Sequence, residues 1–190
     1  MLLNQLVTLR IIQSLWLILT AYWVVLAFNN KKSVYRQSWL ARMGYVVPLI
    51  LASMIISRLS LGKIPLLPIS TFGRMIGVLL CAAGIAFAIW ARTILGTNWS
   101  GIATVKENHE LICRGPYAVV RHPIYTGLLL AYIGTALALW PTVGSLTLLA
   151  AFILAGVIKS RQEEKLMESQ FPDAYAAYRK KVRGGIFPHY

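Results

Sequence analysis

Five long apolar blocks decide which solvent this chain can fold in. They run over Ile11–Phe28, about Met43–Leu61, about Phe72–Leu95, Ile124–Trp140 and Thr142–Ile158. A membrane span needs about 20 residues, within a range near 17–25, and all five meet it. Charged residues make up 13% of the chain, against about 25% in an ordinary soluble domain. That leaves too little polar surface for a water-soluble fold of this size. The reading is an all-α, polytopic membrane protein of about five transmembrane helices, forming a single domain over residues 1–190. The first block is too long for a signal-peptide core and has no small-residue cleavage site, so it reads as a mature helix.

The last two blocks are short and separated only by Pro141. Proline ends one helix and opens the next, so a tight C-terminal helical hairpin is expected. Beyond Ile158 the pattern changes. Gln162–Val182 is polar, with Leu166, Met167, Phe171, Tyr175, Tyr178 and Val182 at helical spacing. It predicts an amphipathic tail against the cytosolic face, which Pro172 either interrupts or restarts as a second short helix. Gly73-Arg74-Met75-Ile76-Gly77 is a small-xxx-small pattern, a weak signal of helix contact.

Lys and Arg number 19 against 6 Asp and Glu, a formal charge of +13. Nucleic acid is not the expected partner, because the apolar blocks leave no polar face for it. Basic loops at an anionic leaflet account for the charge instead. Placing the first loop, the third loop and the tail inside puts fifteen basic residues inside and four outside. The positive-inside rule then favours an external N-terminus, a cytosolic C-terminus and a site facing the cytosol, in the inner or plasma membrane for a bacterial chain. The acids are more telling. Glu163, Glu164, Glu168 and Asp173 fall within eleven residues, and only Glu107 and Glu110 lie elsewhere. The two cysteines, Cys81 and Cys113, show neither metal-ligand spacing nor a disulfide framework.

Chemistry is expected where the hairpin returns to one membrane face. The segment Arg114-Gly115-Pro116-Tyr117 and then Arg121-His122-Pro123-Ile124-Tyr125-Thr126-Gly127 leads into the fourth helix. Pro123 suits a first helical position, and a helix N-terminus favours a carboxylate or phosphate. Helix up and helix back should bring Lys159, Glu163 and Glu164 near His122 and Tyr125. Taken singly, each feature has a plainer account: Arg121 and His122 as interface residues, Lys159 and Glu163 as a surface pair, Tyr175 and Tyr178 as packing.

Taken together, these residues resemble the isoprenylcysteine carboxyl methyltransferase family, with phospholipid N-methyltransferases as more distant relatives. Gly115-Pro116-Tyr117, Arg121-His122-Pro123-Ile124-Tyr125-Thr126-Gly127, Glu163-Glu164, Leu166, Phe171, Tyr175, Tyr178 and Pro188 carry the resemblance, and Asn98-Trp99-Ser100 and His109-Glu110-Leu111-Ile112 agree with it. It covers roughly residues 95–190, the methyltransferase-like region. Residues 1–70 hold helices with no recognisable motif. The resemblance implies S-adenosylmethionine as cofactor, held by His109, Leu111, Ile112, Tyr117, His122, Pro123, Ile124, Tyr125, Glu163 and Glu164, with no metal. It implies Lys159 and Arg121 as catalytic residues and a lipidic or prenylated acceptor entering from the bilayer. The family usually has arginine four residues before the first glutamate; here Lys159 stands there. The implied reaction is O-methylation of the acceptor's carboxylate. The alternatives are N-methylation of a phospholipid amine and a membrane sterol-type reductase.

Overall fold

The computed structural model describes residues 4–27, 33–36, 63–66, 70–98, 104–106, 110–139 and 141–188, with residues 55 and 68. Helix α1 spans Gln5–Ala27, α2 Thr71–Leu95, α3 Pro123–Leu139, α4 Val143–Gln170 and α5 Pro172–Lys181. Three of the described helices are long and apolar enough to cross a membrane, over Gln5–Leu26, Thr71–Asn98 and Val143–Gln170, and Pro123–Leu139 is a shorter apolar one. The second predicted block, Met43–Leu61, lies outside the described residues apart from Ile55.

Local signals account for the helix ends. The Asn4 side chain accepts from the Val7 N–H at 2.9 Å, so α1 begins six residues before the first apolar block. Ser70 caps α2 by accepting from Gly73 at 3.0 Å. Pro123 opens α3, as expected. The Pro141 turn is tight, and it is pinned by Leu66 N–H to the Pro141 carbonyl at 2.7 Å and Val143 N–H to the Ile64 carbonyl at 3.0 Å. Thr142 and Ser145 then form a reciprocal capping box at the head of α4.

One expectation needs correction. The fifth helix does not stop at Ile158; α4 continues to Gln170, because neither proline nor glycine interrupts residues 157–171. The first half of the expected tail is thus an extension of the membrane helix, and Pro172 starts the second half as α5. The architecture is all-α as expected, and the one ribbon among the described residues is short: β1 (Ser33–Arg36) pairs antiparallel with β2 (Thr104–Lys106), Ser33 with Lys106 and Arg36 with Thr104.

The core lies between α1, α2 and α3, around Ile12, Leu19, Cys81, Ile85, Ala88, Ala131, Ala138 and Leu139. Helices α2 and α3 run antiparallel along a seam of small residues. Gly77, Cys81, Gly84, Ala88 and Ala91 on one side meet Gly127, Ala131, Gly134 and Ala138 on the other. The spacings alternate four and three, a heptad seam whose small side chains let the backbones approach closely. A methyl group on Gly77 would stand 2.6 Å from the Ala138 nitrogen, and one on Gly127 would stand 2.7 Å from the Ala88 nitrogen. Gly77 thus belongs to the contact. Gly73, its partner in the sequence pattern, meets only the Ser70 hydroxyl. Trp16 closes the third side, its indole N–H donating to Thr135 at 3.0 Å.

Candidate active site

The site forms where α3 begins and where α4 leaves its apolar stretch at Ile158. The seam with α2 fixes α3, so the segment ahead of Pro123 is held against α4. That segment starts with a one-turn 3-10 helix, Gly115–Ala118. Gly115 sits at φ +61°, a conformation that side chains other than glycine adopt at a cost. The turn buries Pro116 and Tyr117. The Tyr117 carbonyl accepts a buried hydrogen bond from the Tyr178 hydroxyl at 2.7 Å, which docks α5 onto this turn.

His122 lies between two carboxylates. Its Nδ1 is 3.5 Å from Glu163 and its Nε2 is 3.0 Å from Glu164. The Arg121 Nε donates to Glu164 at 2.9 Å. The Tyr125 hydroxyl donates to Glu163 at 2.8 Å, and the Lys159 ammonium is 3.8 Å from the same carboxylate. Lys159 also stands 5.6 Å from the centre of the Tyr125 ring, and His122 stacks on that ring. Three basic groups thus surround two acids. Lys159, Glu163 and Glu164 project from the charged part of α4 that follows the apolar stretch ending at Ile158.

The cluster sets the protonation of its members. Burial pushes the Glu164 carboxyl up, but hydrogen bonds from His122 and Arg121, with their charges, bring it down to about 2. Burial opposes charge on Glu163 too, and His122, Lys159 and Tyr125 together hold it below the usual carboxylate range. Burial alone would lower the His122 pKa, yet the two glutamates raise it. Burial, followed by the charge of Glu163, raises the Tyr117 hydroxyl. The two carboxylates thus favour the protonated imidazole of His122 against the effect of its burial.

The C-terminal tail completes the corner. The Arg121 N–H donates to the Gly184 carbonyl at 2.9 Å and the His122 N–H to Gly185 at 3.1 Å. The Arg121 Nη1 reaches the carbonyls of Val182 at 2.7 Å and Arg183 at 2.8 Å, and the Thr126 hydroxyl donates to that of Ile186. Residues 182–186 therefore run as a strap across the head of α3. Tyr175, Tyr178 and Val182 bury their side chains against Leu111, Met167 and Phe171.

The structure brings Arg121, His122, Tyr125, Lys159, Glu163 and Glu164 into one cluster. Tyr117 is buried beside it, Pro123 is buried at the first helical position, and Ile124 is half-buried in the first turn. Leu111 and Ile112 are half-buried and line a cleft of about 340 Å³ with Glu110, Cys113 and Arg114. His109 lies outside the described residues. The sequence motif included Thr126 without a role for it, and sequence reasoning missed the strap, whose contribution is backbone carbonyls. The residues it had set down to packing, Tyr175 and Tyr178, do pack, and Tyr178 also carries the hydrogen bond that positions the turn.

These features coincide with known proteins. The model of the phospholipid methyltransferase family matches residues 72–174, more than half of the chain, and the chain belongs to that family. It is 40% identical over 95 residues to the protein-S-isoprenylcysteine O-methyltransferase of Schizosaccharomyces pombe, a match covering 48% of this chain and 39% of that protein. It is 25% identical over 170 residues to a probable protein-S-isoprenylcysteine O-methyltransferase of Oryza sativa subsp. indica, covering 87% of each. The match thus spans well under half of the fission-yeast relative's length. The fold is similar to the eukaryotic intramembrane Ras methyltransferase (isoprenylcysteine carboxyl methyltransferase), with a TM-score of 0.56 and 21% identity over 80% of this chain and 53% of that one. Apolar helices and this shared fold together make the chain an integral membrane protein.

Proposed function

We propose that the chain transfers a methyl group from S-adenosylmethionine to the carboxylate of a lipidic acceptor, of the isoprenylcysteine type. The observation that carries the choice of acceptor is the state of the two glutamates. Each is tied to cations within ion-pair distance and held below the usual carboxylate range. Such carboxylates are poor bases. A protonated amine acceptor would need a base to take its proton, whereas a carboxylate is already nucleophilic and needs only placement and partial loss of water. The names of the curated relatives support the same choice.

The donor set suits the cofactor. Its sulfonium supplies an activated methyl group. Glu163 and Glu164 suit its amine and hydroxyls, the Tyr125 face suits a cation, and Leu111 and Ile112 offer an apolar wall for a base. Tyr117, His122, Pro123, Ile124 and His109 are assigned to the same pocket. Lys159, one helical turn before Glu163, is assigned to the acceptor carboxylate. Arg121 keeps Glu164 ionised and in place. The active region spans roughly residues 95–190, facing the cytosol, with the acceptor entering from the bilayer.

The deciding experiment supplies purified protein in nanodiscs with labelled S-adenosylmethionine and, separately, a prenylcysteine, a fatty acid and phosphatidylethanolamine. Label is expected as a base-labile methyl ester on the prenylcysteine. Label only on the lipid amine would overturn the carboxylate reading.

A further inference from the structure

Helix α4 leaves its apolar stretch at Ile158 and continues twelve residues to Gln170, roughly 18 Å at 1.5 Å per residue. The chain turns there, and α5 packs back along it through Tyr175 and Tyr178. The strap that follows is bonded to Arg121 and His122, which directly precede the apolar helix α3. Helix α5 therefore descends, and its last turn returns to the level at which α3 and α4 enter the apolar layer. Its charges are sorted along that descent. Asp173 stands in the first turn, and Arg179, Lys180 and Lys181 stand in the last. Arg179 is paired with Glu168 at 2.6 Å. Lys180, Lys181 and Arg183 are exposed and have no ion-pair partner among the described residues. Val119, two residues before Arg121, and Phe187, just after the strap, expose about half of their surface.

Cations in the last turn complement the helix dipole, but that does not account for Arg183 beyond the helix or for the adjacent apolar side chains. Exposed cations beside exposed apolar groups, next to the head of an apolar helix, match an anionic lipid surface, whose attraction acts within a Debye length. We propose that Lys180, Lys181 and Arg183, with Phe187, bind the anionic phospholipid headgroups of the leaflet beside the site, and that this engagement holds the 182–186 strap onto Arg121 and His122. Lipid charge then sets the order of the site without touching the cluster itself. The idea goes beyond the proposed reaction and needs no methyl transfer to be tested.

The full chain is placed in nanodiscs of phosphatidylcholine alone or with 30% phosphatidylglycerol or phosphatidylserine, and backbone hydrogen exchange is followed. About tenfold slower exchange is expected over 179–186 and at Arg121 and His122 in both anionic discs, falling away in 0.5 M salt. Lys180→Gln/Lys181→Gln should lose most of that difference, and Lys180→Arg/Lys181→Arg should keep it. Unchanged exchange at Ala131 and Ala138 shows that each variant is folded. Equal exchange in neutral and anionic discs would overturn the proposal. So would an anionic effect that survives in the glutamine variant, or protection that appears only when an acidic peptide is added to neutral discs.

Discussion

Arg121 and Glu164, separated by 43 positions, meet at 2.9 Å with side chains only 11% and 14% exposed. Arg121 holds the strap carbonyls as well, so the pair ties α3, α4 and the tail together. Removing one partner leaves the other with only part of its compensation, His122 for Glu164 and the strap carbonyls for Arg121, at a cost below the roughly 3–5 kcal/mol of a fully stranded buried charge. Arg121→Ala and Glu164→Gln should each lower the thermal midpoint in detergent by several degrees. The double variant should cost less than the sum of the two. Strict additivity would show that the pair does not act as a unit.

The cofactor assignment predicts that Glu163→Gln and His122→Ala each weaken S-adenosylmethionine binding. Losing one charged hydrogen bond costs roughly 1.5–3 kcal/mol, or about 10- to 150-fold in affinity. Titration calorimetry on folded protein measures it. Unchanged affinity in both variants would place the cofactor elsewhere.

Stability should follow pH in a defined way. Glu163 and Glu164 have lowered values in the fold, so their contribution is full above the ordinary 4.5 and is lost as pH falls, down to about 2 for Glu164. His122 has a raised value, so its contribution is full below the ordinary 6.5 and is lost as pH rises through the folded value. The cluster should therefore stabilise most between about pH 4.5 and 6.5. Thermal midpoints across pH should decline on the alkaline side, and His122→Gln should flatten that decline. An identical alkaline limb in the variant would remove His122 as its source.

Lys159→Ala should raise the Michaelis constant for the acceptor and leave cofactor binding nearly intact. Lys159→Arg should retain or improve turnover of a prenylcysteine, because a guanidinium grips a carboxylate with two parallel hydrogen bonds. Steady-state kinetics at saturating cofactor separates the two effects. An unchanged Michaelis constant in Lys159→Ala would remove this residue from the acceptor site.

The seam predicts a steric cost. Gly84→Ala sets a methyl group against the Ala131 backbone and the Gly127 carbonyl, and overpacking costs about 1–3 kcal/mol. Gly73→Ala, only four positions beyond the seam glycine Gly77, should be nearly neutral. Thermal stability of the two variants in the same detergent checks the contrast.

Much of this was legible in the sequence because it rests on side chains with strong signatures. Apolar length marked the spans, Pro123 and Pro141 marked the hairpin, and the return of that hairpin placed Glu163 beside His122. What escaped has a physical reason in each case. Apolar composition ended at Ile158, but a helix ends only where its backbone is broken, and nothing breaks it before Phe171. The seam follows a seven-residue repeat of small residues, whereas the more conspicuous Gly73–Gly77 pattern contributes one glycine of its two. The strap binds through carbonyls, which every residue carries, so no sequence pattern could mark it. A charge count could not show that Arg121 would be taken up by Glu164 and the tail.

The unbroken α4 has a mechanical consequence. Lys159, Glu163 and Glu164 ride on one rod that runs unbroken from the Pro141 turn through the apolar stretch, and His122 and Tyr125 are mounted on another that is locked by its glycines. Neither jaw can open without dragging a whole helix through the lipid. The strap is different: it hangs on a few hydrogen bonds after the last turn of α5. Of the described parts that enclose the cluster, it is the one that can unlatch cheaply. A cross-link from residue 184 to residue 121 would therefore fix the part of the enclosure that costs least to open.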